Sequence, residues 1–388
     1  MRYNYIFLLM AISVAVSACT SGDESTEESF FGGKEGIKLS FLPNTPPSEV
    51  TDFGDGVGFP FQAVVTVENV GEQNLKKDEL DIEITGFFPT DFAITETEQL
   101  KDSNDALRGV DKDPDGKRVN GGIQQFIFPV QDKGDAEAFK YMQKLKGNQQ
   151  FPFKAEACYK YKTTAVSQLC LQESFTDNLN QVCNPKGPRV VSNSGAPVHV
   201  TSITESVGGT NKIILNFEIK KVGLDDVFKL DDTNKCSTDF THRNRVKVTV
   251  NTGLESNSDV NIEELKKNVA DAKTRVSSIE KVIESYTGNN EDELSSNDDI
   301  LSATQTTLTA ARTELAKYAD LNCVGLLEGT GGKSGFLLLI DNKASFTCIQ
   351  TLGENSMIDS VKSFNVVLEY YAERSITKNV LVKHLIGD

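Results

Sequence analysis

Along most of the chain, apolar residues recur at every second position in short runs broken by Gly, Pro, Asn and Asp. That period sends alternate side chains to opposite faces, so each run predicts a strand with one buried face. Residues 61–68 (FQAVVTVE), 81–85 (DIEIT), 125–130 (QFIFPV) and 153–161 (FKAEACYKY) read this way. So do 213–219 (IILNFEI), 245–250 (RVKVTV), 336–340 (FLLLI) and 364–371 (FNVVLEYY). Short strands at regular spacing, with turn chemistry between them, predict β-sandwiches.

A weak internal repeat divides the strands into two sets. VTVENVGEQ at 65–73 resembles FEIKKVGLD at 217–225, each an alternating strand running into Val-Gly and a polar turn. Each set is expected to end in an aromatic hairpin, ACYKYKTTAVSQLCLQ at 157–172 and EYYAERSITKNVLVK at 369–383. Pro and Gly cluster in VCNPKGPRVVSNSGAP at 182–197. The expected organisation is therefore mainly β, with one sandwich over 37–187 and a second over 188–388.

Residues 259–320 change period. Ile262, Leu265, Val269, Ala272, Val276, Ile279 and Ile283 draw one helical stripe, and Leu301, Thr304, Leu308, Ala311, Leu315 and Tyr318 draw another. Asn261 with Glu264 gives a capping-box start, and Gly288 a stop. Two such helices predict an antiparallel coiled-coil hairpin inserted in the second sandwich, an arm of about 36 Å. It either projects or packs on a sandwich face. Each stripe is one seam wide and the partner helix consumes it, which favours projection. The acidic tip, with Glu291, Asp292, Glu293, Asp298 and Asp299, is then left to meet a basic surface of an envelope protein partner.

The front of the chain carries an address. Residues 1–19 (MRYNYIFLLMAISVAVSAC) hold Arg2, an apolar run too short to span a bilayer, and small residues before Cys19. This reads as a signal peptide over 1–18, and VSAC resembles a lipobox, with Cys19 the lipidated residue. Residues 19–36, rich in Ser, Thr, Gly and acid, are expected to be a flexible tether.

The strand-then-ENVG pattern, the lipobox and the paired sandwiches together resemble CARDB-like immunoglobulin-type domains of archaeal and bacterial surface proteins. KLSFLPNTPPSEV followed by PFQAVVTVENVG is similar to uncharacterised archaeal membrane-anchored proteins. The resemblance covers 37–250 and 321–388, implies two immunoglobulin-like sandwiches, and brings no catalytic residues.

Charge and cysteines narrow the setting. Of 388 residues, 40 are Lys or Arg and 56 are Asp or Glu, a net charge of −16 that opposes nucleic-acid binding. Besides Cys19 there are Cys158, Cys170, Cys183, Cys236, Cys323 and Cys348, an even set that suits disulfides in an exported chain. Cys158 and Cys170 flank the expected hairpin near Thr164, and Cys323 and Cys348 flank the strand loop beyond Gly329. Cys183 and Cys236 remain as a bridge between the sandwiches. No cysteines are spaced C-x-x-C, and His199, His242 and His384 lie far apart in sequence, so no zinc site is expected.

Candidate chemistry is sparse. DKDPDG at 111–116 places Asp111, Asp113 and Asp115 as in the start of a calcium loop, but Gly122 stands where a bidentate Glu belongs. The same residues are strong turn chemistry. GTGGKSG at 329–335 lacks the first Gly of a phosphate loop and leads into a strand, so a hairpin loop is expected. There is no G-x-S-x-G elbow, and His242 has no sequence companion. Tyr159, Tyr161, Tyr370 and Tyr371 are expected to pack across strands rather than form a ligand cage. The Phe30–Phe31 pair reads as a docking or spacing accident of the tether rather than a site.

The expectation is a lipid-anchored extracytoplasmic envelope protein, a non-catalytic scaffold or adhesion module without cofactor. The alternative is a surface-anchored enzyme or accessory subunit, with calcium. A solute-binding lipoprotein is disfavoured, because no βαβ pattern is present to build its lobes.

Overall fold

The computed structural model describes residues 29–52, 58–134, 136–173, 182–254, 262–285, 291–316, 320–328, 332–353 and 358–384. The chain is mainly β. The first strands are β1 (Ile37–Phe41), β2 (Glu49–Thr51), β3 (Ala63–Asn69), β4 (Leu80–Thr85) and β5 (Leu100–Asp102). There follow β6 (Asp111–Lys112), β7 (Arg118–Val119), β8 (Ile123–Phe128) and the long β9 (Gln149–Leu171). Then come β10 (Gly187–Arg189), β11 (Ser192–Asn193), β12 (Val198–Gly209), β13 (Lys212–Lys221), β14 (Asp226–Phe228) and β15 (Arg245–Asn251). Helices α1 (Ile262–Ser285) and α2 (Glu291–Ala316) precede β16 (Asp320–Val324), β17 (Ser334–Leu338), β18 (Lys343–Thr351) and the long β19 (Ser360–Lys383).

The strands form a three-stranded sheet β1-β3-β8, a five-stranded sheet β10-β12-β13-β18-β16 and a nine-stranded sheet. The main path of the last runs β17-β15-β19-β9-β4-β5, with β11 on β9 and β2 and β14 on β19. Pairing is antiparallel except where β2 runs parallel to the end of β19.

The two long strands are the main departure from expectation. Residues 157–172 and 369–383 are not hairpins; each lies within one continuous strand. Gln149–Leu171 pairs residue by residue with Ser360–Val382, and Tyr161 sits opposite Tyr370. At about 3.3 Å per residue this spine is about 75 Å long. Inward positions alternate without a slip from Phe153 to Leu169 on β9, and β19 keeps one inward parity from Phe364 to Val382. No Gly, Pro, Asn or Asp falls between Phe153 and Gln172, so nothing in that stretch would turn the chain. A cut at residue 187 separates β9 from the partner it follows along its whole length.

The nine-stranded path is symmetric about the spine: β19 carries β15 and then β17, and β9 carries β4 and then β5. The other sheets repeat an order too, β1-β3-β8 in the first half and β12-β13-β18 in the second. The repeated Val-Gly pairs occupy matching joints. Val70 and Gly71 both donate their backbone N–H to the Gly36 carbonyl just before β1 (3.0 Å each). Val222 and Gly223 both donate to the Pro197 carbonyl just before β12, at 2.8 and 3.0 Å.

A single apolar core runs from Ile37 to Val382 and draws on all three large sheets. In the first half it is aromatic, with Phe87 against Phe153 at 4.3 Å and Phe92 edge-on to Phe153 at 5.2 Å. In the second, Phe217 stacks on Phe346 at 4.7 Å.

The helices stand outside this core. Ala272, Val276 and Leu308, flanked by Val269 and Leu301, form a separate small cluster between α1 and α2. Where their side chains are described, the expected stripe residues are the less exposed positions of both helices, and most other positions are solvated. Lys266 near the start of α1 pairs with Asp320, just beyond α2, at 2.9 Å, so the chain leaves and returns at one place. Asn261, Gly288 and Tyr318 lie outside the described residues. Among the described residues, no helix is long and apolar enough to cross a membrane.

The disulfides are Cys158–Cys236, Cys170–Cys183 and Cys323–Cys348. The last is the pairing expected from sequence. The expected Cys158–Cys170 bridge and the inter-sandwich Cys183–Cys236 bridge do not form. Cys158 and Cys170 lie twelve positions apart on one extended strand, a separation of roughly 40 Å that no disulfide spans. Three disulfides suit an oxidising, extracytoplasmic environment.

Candidate functional site

Residues 29–36, expected within the flexible tether, are instead docked on the body. The backbone N–H groups of Phe31 and Gly32 donate to the two carboxylate oxygens of Glu72 at 2.9 and 3.0 Å. Gly195 donates to the same carboxylate at 2.6 Å. Charge-assisted bonds of this kind are the stronger class, and three of them tie the N-terminal segment, the β3–β4 connection and the approach to β12 together. Gly32 and Gly33 have φ of +71° and +126°, a backbone that favours glycine. Signal for this docking was present in the sequence as FFGG, but its partner was not.

Beside that joint, the inward tyrosines of the spine reach polar partners. Tyr159 donates to Asp225 at 3.0 Å, and Tyr161 donates to the Gly195 carbonyl at 3.2 Å. The Tyr370 hydroxyl and Thr163 lie 2.9 Å apart, and Thr163 donates to the Val198 carbonyl. Arg374 pairs with Glu35 at 3.1 Å and approaches Asp225 at 3.9 Å. Burial pushes the Asp225 carboxyl above the usual range and the Tyr159 and Tyr370 hydroxyls well above theirs. Tyr161 stands edge-on to Tyr159 at 5.5 Å and 6.4 Å from Tyr370. Tyr371 faces the other way and donates to Asp232 at 2.6 Å. The hydroxyls are taken up by Asp225, Thr163, Asp232 and the Gly195 carbonyl, and the rings of Tyr159, Tyr161 and Tyr370 pack along and across the spine rather than forming an open cage.

Beside the spine lies a groove of about 950 Å³ whose lining includes Phe30, Phe31, Val166, Gln168, Val190 and Val361. Phe31 also lies under Lys112 and Arg118, at 5.4 and 5.7 Å from its ring centre. Behind Arg189 and Cys170, which line the groove, Glu205 is fully buried, paired with Arg189 at 2.7 Å and bonded by the Cys170 N–H. Its burial raises its pKa despite those partners.

The acidic turn is closed by its own backbone. Asp113 Oδ1 accepts from the N–H groups of Asp115 (3.0 Å) and Lys117 (2.7 Å), and Asp111 Oδ1 accepts from Lys112. This is the turn between β6 and β7, with Gly116 at φ +78°. Among the described residues, no group of three or more His, Cys, Asp or Glu side chains is gathered as a metal site.

The histidines are dispersed. His199 Nε2 lies 3.0 Å from the Gly33 carbonyl, and burial lowers its pKa. His242 meets Asp231 at 3.2 Å in the loop that carries Cys236. His384 meets the buried Asp52 at 2.7 Å. Residues 329–331 and Cys19 lie outside the described residues; Ser334 and Gly335 open β17, as the sequence predicts for a loop that leads into a strand. On α2, Asp298 and Asp299 are exposed, while the side chains of Glu291, Asp292 and Glu293 lie outside the described residues. Comparison with known proteins finds no family model, no curated protein and no solved structure that matches this chain.

Proposed function

We propose that the protein is a non-catalytic envelope scaffold, anchored outside the cytoplasm by a lipid on Cys19, that presents a helical arm to a partner protein. In this reading the two halves are immunoglobulin-like sandwiches of the CARDB-like kind, and α1 and α2 form an antiparallel coiled-coil hairpin inserted in the second. The matched Val-Gly joints and the repeated sheet orders support a duplicated sandwich plan. The three disulfides support the exported setting.

One observation carries the role assigned to the arm. The helices spend their apolar residues on each other, in a cluster disjoint from the β core, and join the body beside Lys266 and Asp320. A module that adds nothing to the core and returns the chain to its starting point is suited to contact something else.

The test is to replace residues 262–316 by a short Gly/Ser loop in the membrane-anchored protein. Cooperative melting should persist, while partners recovered by affinity purification should be lost. Salt should weaken that recovery, because exposed charges such as Asp298 and Asp299 are screened within about 8–10 Å. Failure to fold would make the helices part of the core, and unchanged recovery would move binding to the sheets. Labelling with a fatty-acid analogue, lost in Cys19→Ser, tests the anchor separately.

A further inference from the structure

Strand β8 ends its sheet, and among the described residues its free side is a six-residue edge without charge or proline. The pairing parity identifies its outward groups. Leu42 N–H donates to the Val64 carbonyl, so Val64, Thr66 and Glu68 face β1, and Val65 and Val67 face β8. Phe126 is opposite Val65 and Gln124 opposite Val67, which leaves the backbone N–H and C=O of Ile123, Gln125 and Ile127 pointing away from β3. Among the described residues, no backbone or side-chain partner for those groups is found. The side chains of the same residues lie on the solvent face, with Ile123 65% and Ile127 46% exposed.

The second half shows what covers the matching edge. There β18, which flanks β13 as β8 flanks β3, has β16 on its far side, stapled by Cys323–Cys348. Other edges carry the usual guards against pairing: Lys38 on β1, Lys101 and Asp102 on β5, Pro188 and Arg189 on β10, Asp320 on β16. The edge of β17 is closed by Phe336, which exchanges both backbone bonds with Leu327. The sequence of β8, IQQFIF, has no charge and no proline.

We propose that β8 is a self-docking edge, through which two copies of this chain pair antiparallel with Gln125 on the twofold axis. The register follows from the parity. With Gln125 opposite the second copy's Gln125, Ile123 falls opposite the second copy's Ile127, and all three outward-facing residues meet outward-facing residues. Each such pair exchanges two backbone hydrogen bonds. On the solvent face isoleucine meets isoleucine, a cross-strand pair of the favourable kind, and no charge opposes charge. The arrangement is isologous and closes after two copies. The −16 net charge of each copy opposes it, so the association tightens as salt rises.

The test is a Gln125→Cys variant of the full chain expressed in its own membrane and run on a non-reducing gel, with Lys38→Cys on the opposite edge as control. Hydrogen-bonded antiparallel partners sit about 5.5 Å apart at Cα, within disulfide reach. A covalent homodimer with Gln125→Cys and none with Lys38→Cys is expected. A cross-link to a different protein would make β8 a docking edge for a foreign strand and overturn the proposal, as would no cross-link. Sedimentation of the unaltered full chain in detergent at concentrations up to about 100 µM, where so small an interface associates, checks the fold-independent case. It should show a monomer–dimer equilibrium that salt strengthens and Ile127→Lys weakens at least about tenfold. A monomer throughout, or a dimer indifferent to Ile127→Lys, would overturn it.

Discussion

Replacing Gly71 by Ala tests the joint on which the first half depends. A Cβ at residue 71 would lie 1.9 Å from the Tyr161 hydroxyl, 2.6 Å from the Gly195 carbonyl oxygen and 2.9 Å from the Glu35 carbonyl oxygen. The hydroxyl could swing away with its ring, at the cost of its bond to Gly195, about 1 kcal/mol. The two carbonyls are backbone and must move with the segments that carry them, an overpacking cost of about 1–3 kcal/mol. The expected destabilisation is thus about 2–4 kcal/mol. Gly223 is the matching position, with a Cβ 2.4 Å from the Lys34 carbonyl oxygen and 2.8 Å from Pro197 Cβ, and Gly223→Ala should cost a similar amount. Gly147→Ala, where a Cβ meets nothing within 4 Å, is the control and should stay within about 0.5 kcal/mol of the parent. With no tryptophan and nine tyrosines, urea unfolding is best followed by tyrosine fluorescence and near-ultraviolet dichroism. Adding Tyr161→Phe to Gly71→Ala removes the hydroxyl clash but not the carbonyl clashes, so it should recover only part of the loss. A Gly71→Ala cost below about 1 kcal/mol, or full recovery by Tyr161→Phe, would refute the joint as described.

Peptide mapping without reduction should recover Cys158–Cys236, Cys170–Cys183 and Cys323–Cys348. Removing the first, which closes the longest stretch of 78 residues, should cost about 4.5 kcal/mol by loop entropy against about 3 for Cys170–Cys183; the reverse order in unfolding experiments would contradict the pairing. Asp113→Ala should cost about 1 kcal/mol through its two turn hydrogen bonds, and millimolar calcium should leave the Tm of the parent unchanged; a rise abolished by Asp113→Ala would place calcium there. Burial raises the folded pKa of Glu205, so its contribution is present below the ordinary value of 4.5 and is lost as pH rises through the raised folded value. Glu205→Gln should therefore gain stability relative to the parent as pH rises across that window, whatever its fixed offset from losing the Arg189 pair; a pH-independent difference in unfolding free energy would show that Glu205 titrates normally.

Local pattern was the legible part of this chain. Period-two runs located the strands, and the stripe from Leu265 to Ile283 located α1, because both signals need only the residue's own neighbours. Cys323–Cys348 was expected as the flanks of one strand loop, and the pairing is found between β16 and β18 although the intervening β17 joins the other sheet. The spine was misread because alternation has the same parity on both sides of a four-residue turn, so 157–172 satisfied a hairpin and a straight strand alike. The deciding signal was the absence of any turn residue around Thr164. Cys158 could not be paired from sequence, since its partner Cys236 comes from a loop brought over the outer face of the sheet by non-local pairing. The docking of Phe31 and Gly32 depends on Glu72 and Gly195, and nothing local to residues 29–36 names either. The open edge of β8 became visible only by comparison with β18, whose neighbour β16 follows the helices.

Amide hydrogen exchange across the whole chain tests the central claim, a continuous β body carrying an independent helical arm. The amides of Gln149–Leu171 and Ser360–Lys383 that bond across the spine should be among the slowest and should open together. Those of α1 and α2 should exchange in a separate, faster class, reflecting their small cluster of Val269, Ala272, Val276, Leu301 and Leu308. Independent opening of the two ends of β9 near Thr164 would contradict the continuous spine, and exchange of the helices together with the core would contradict the separate arm.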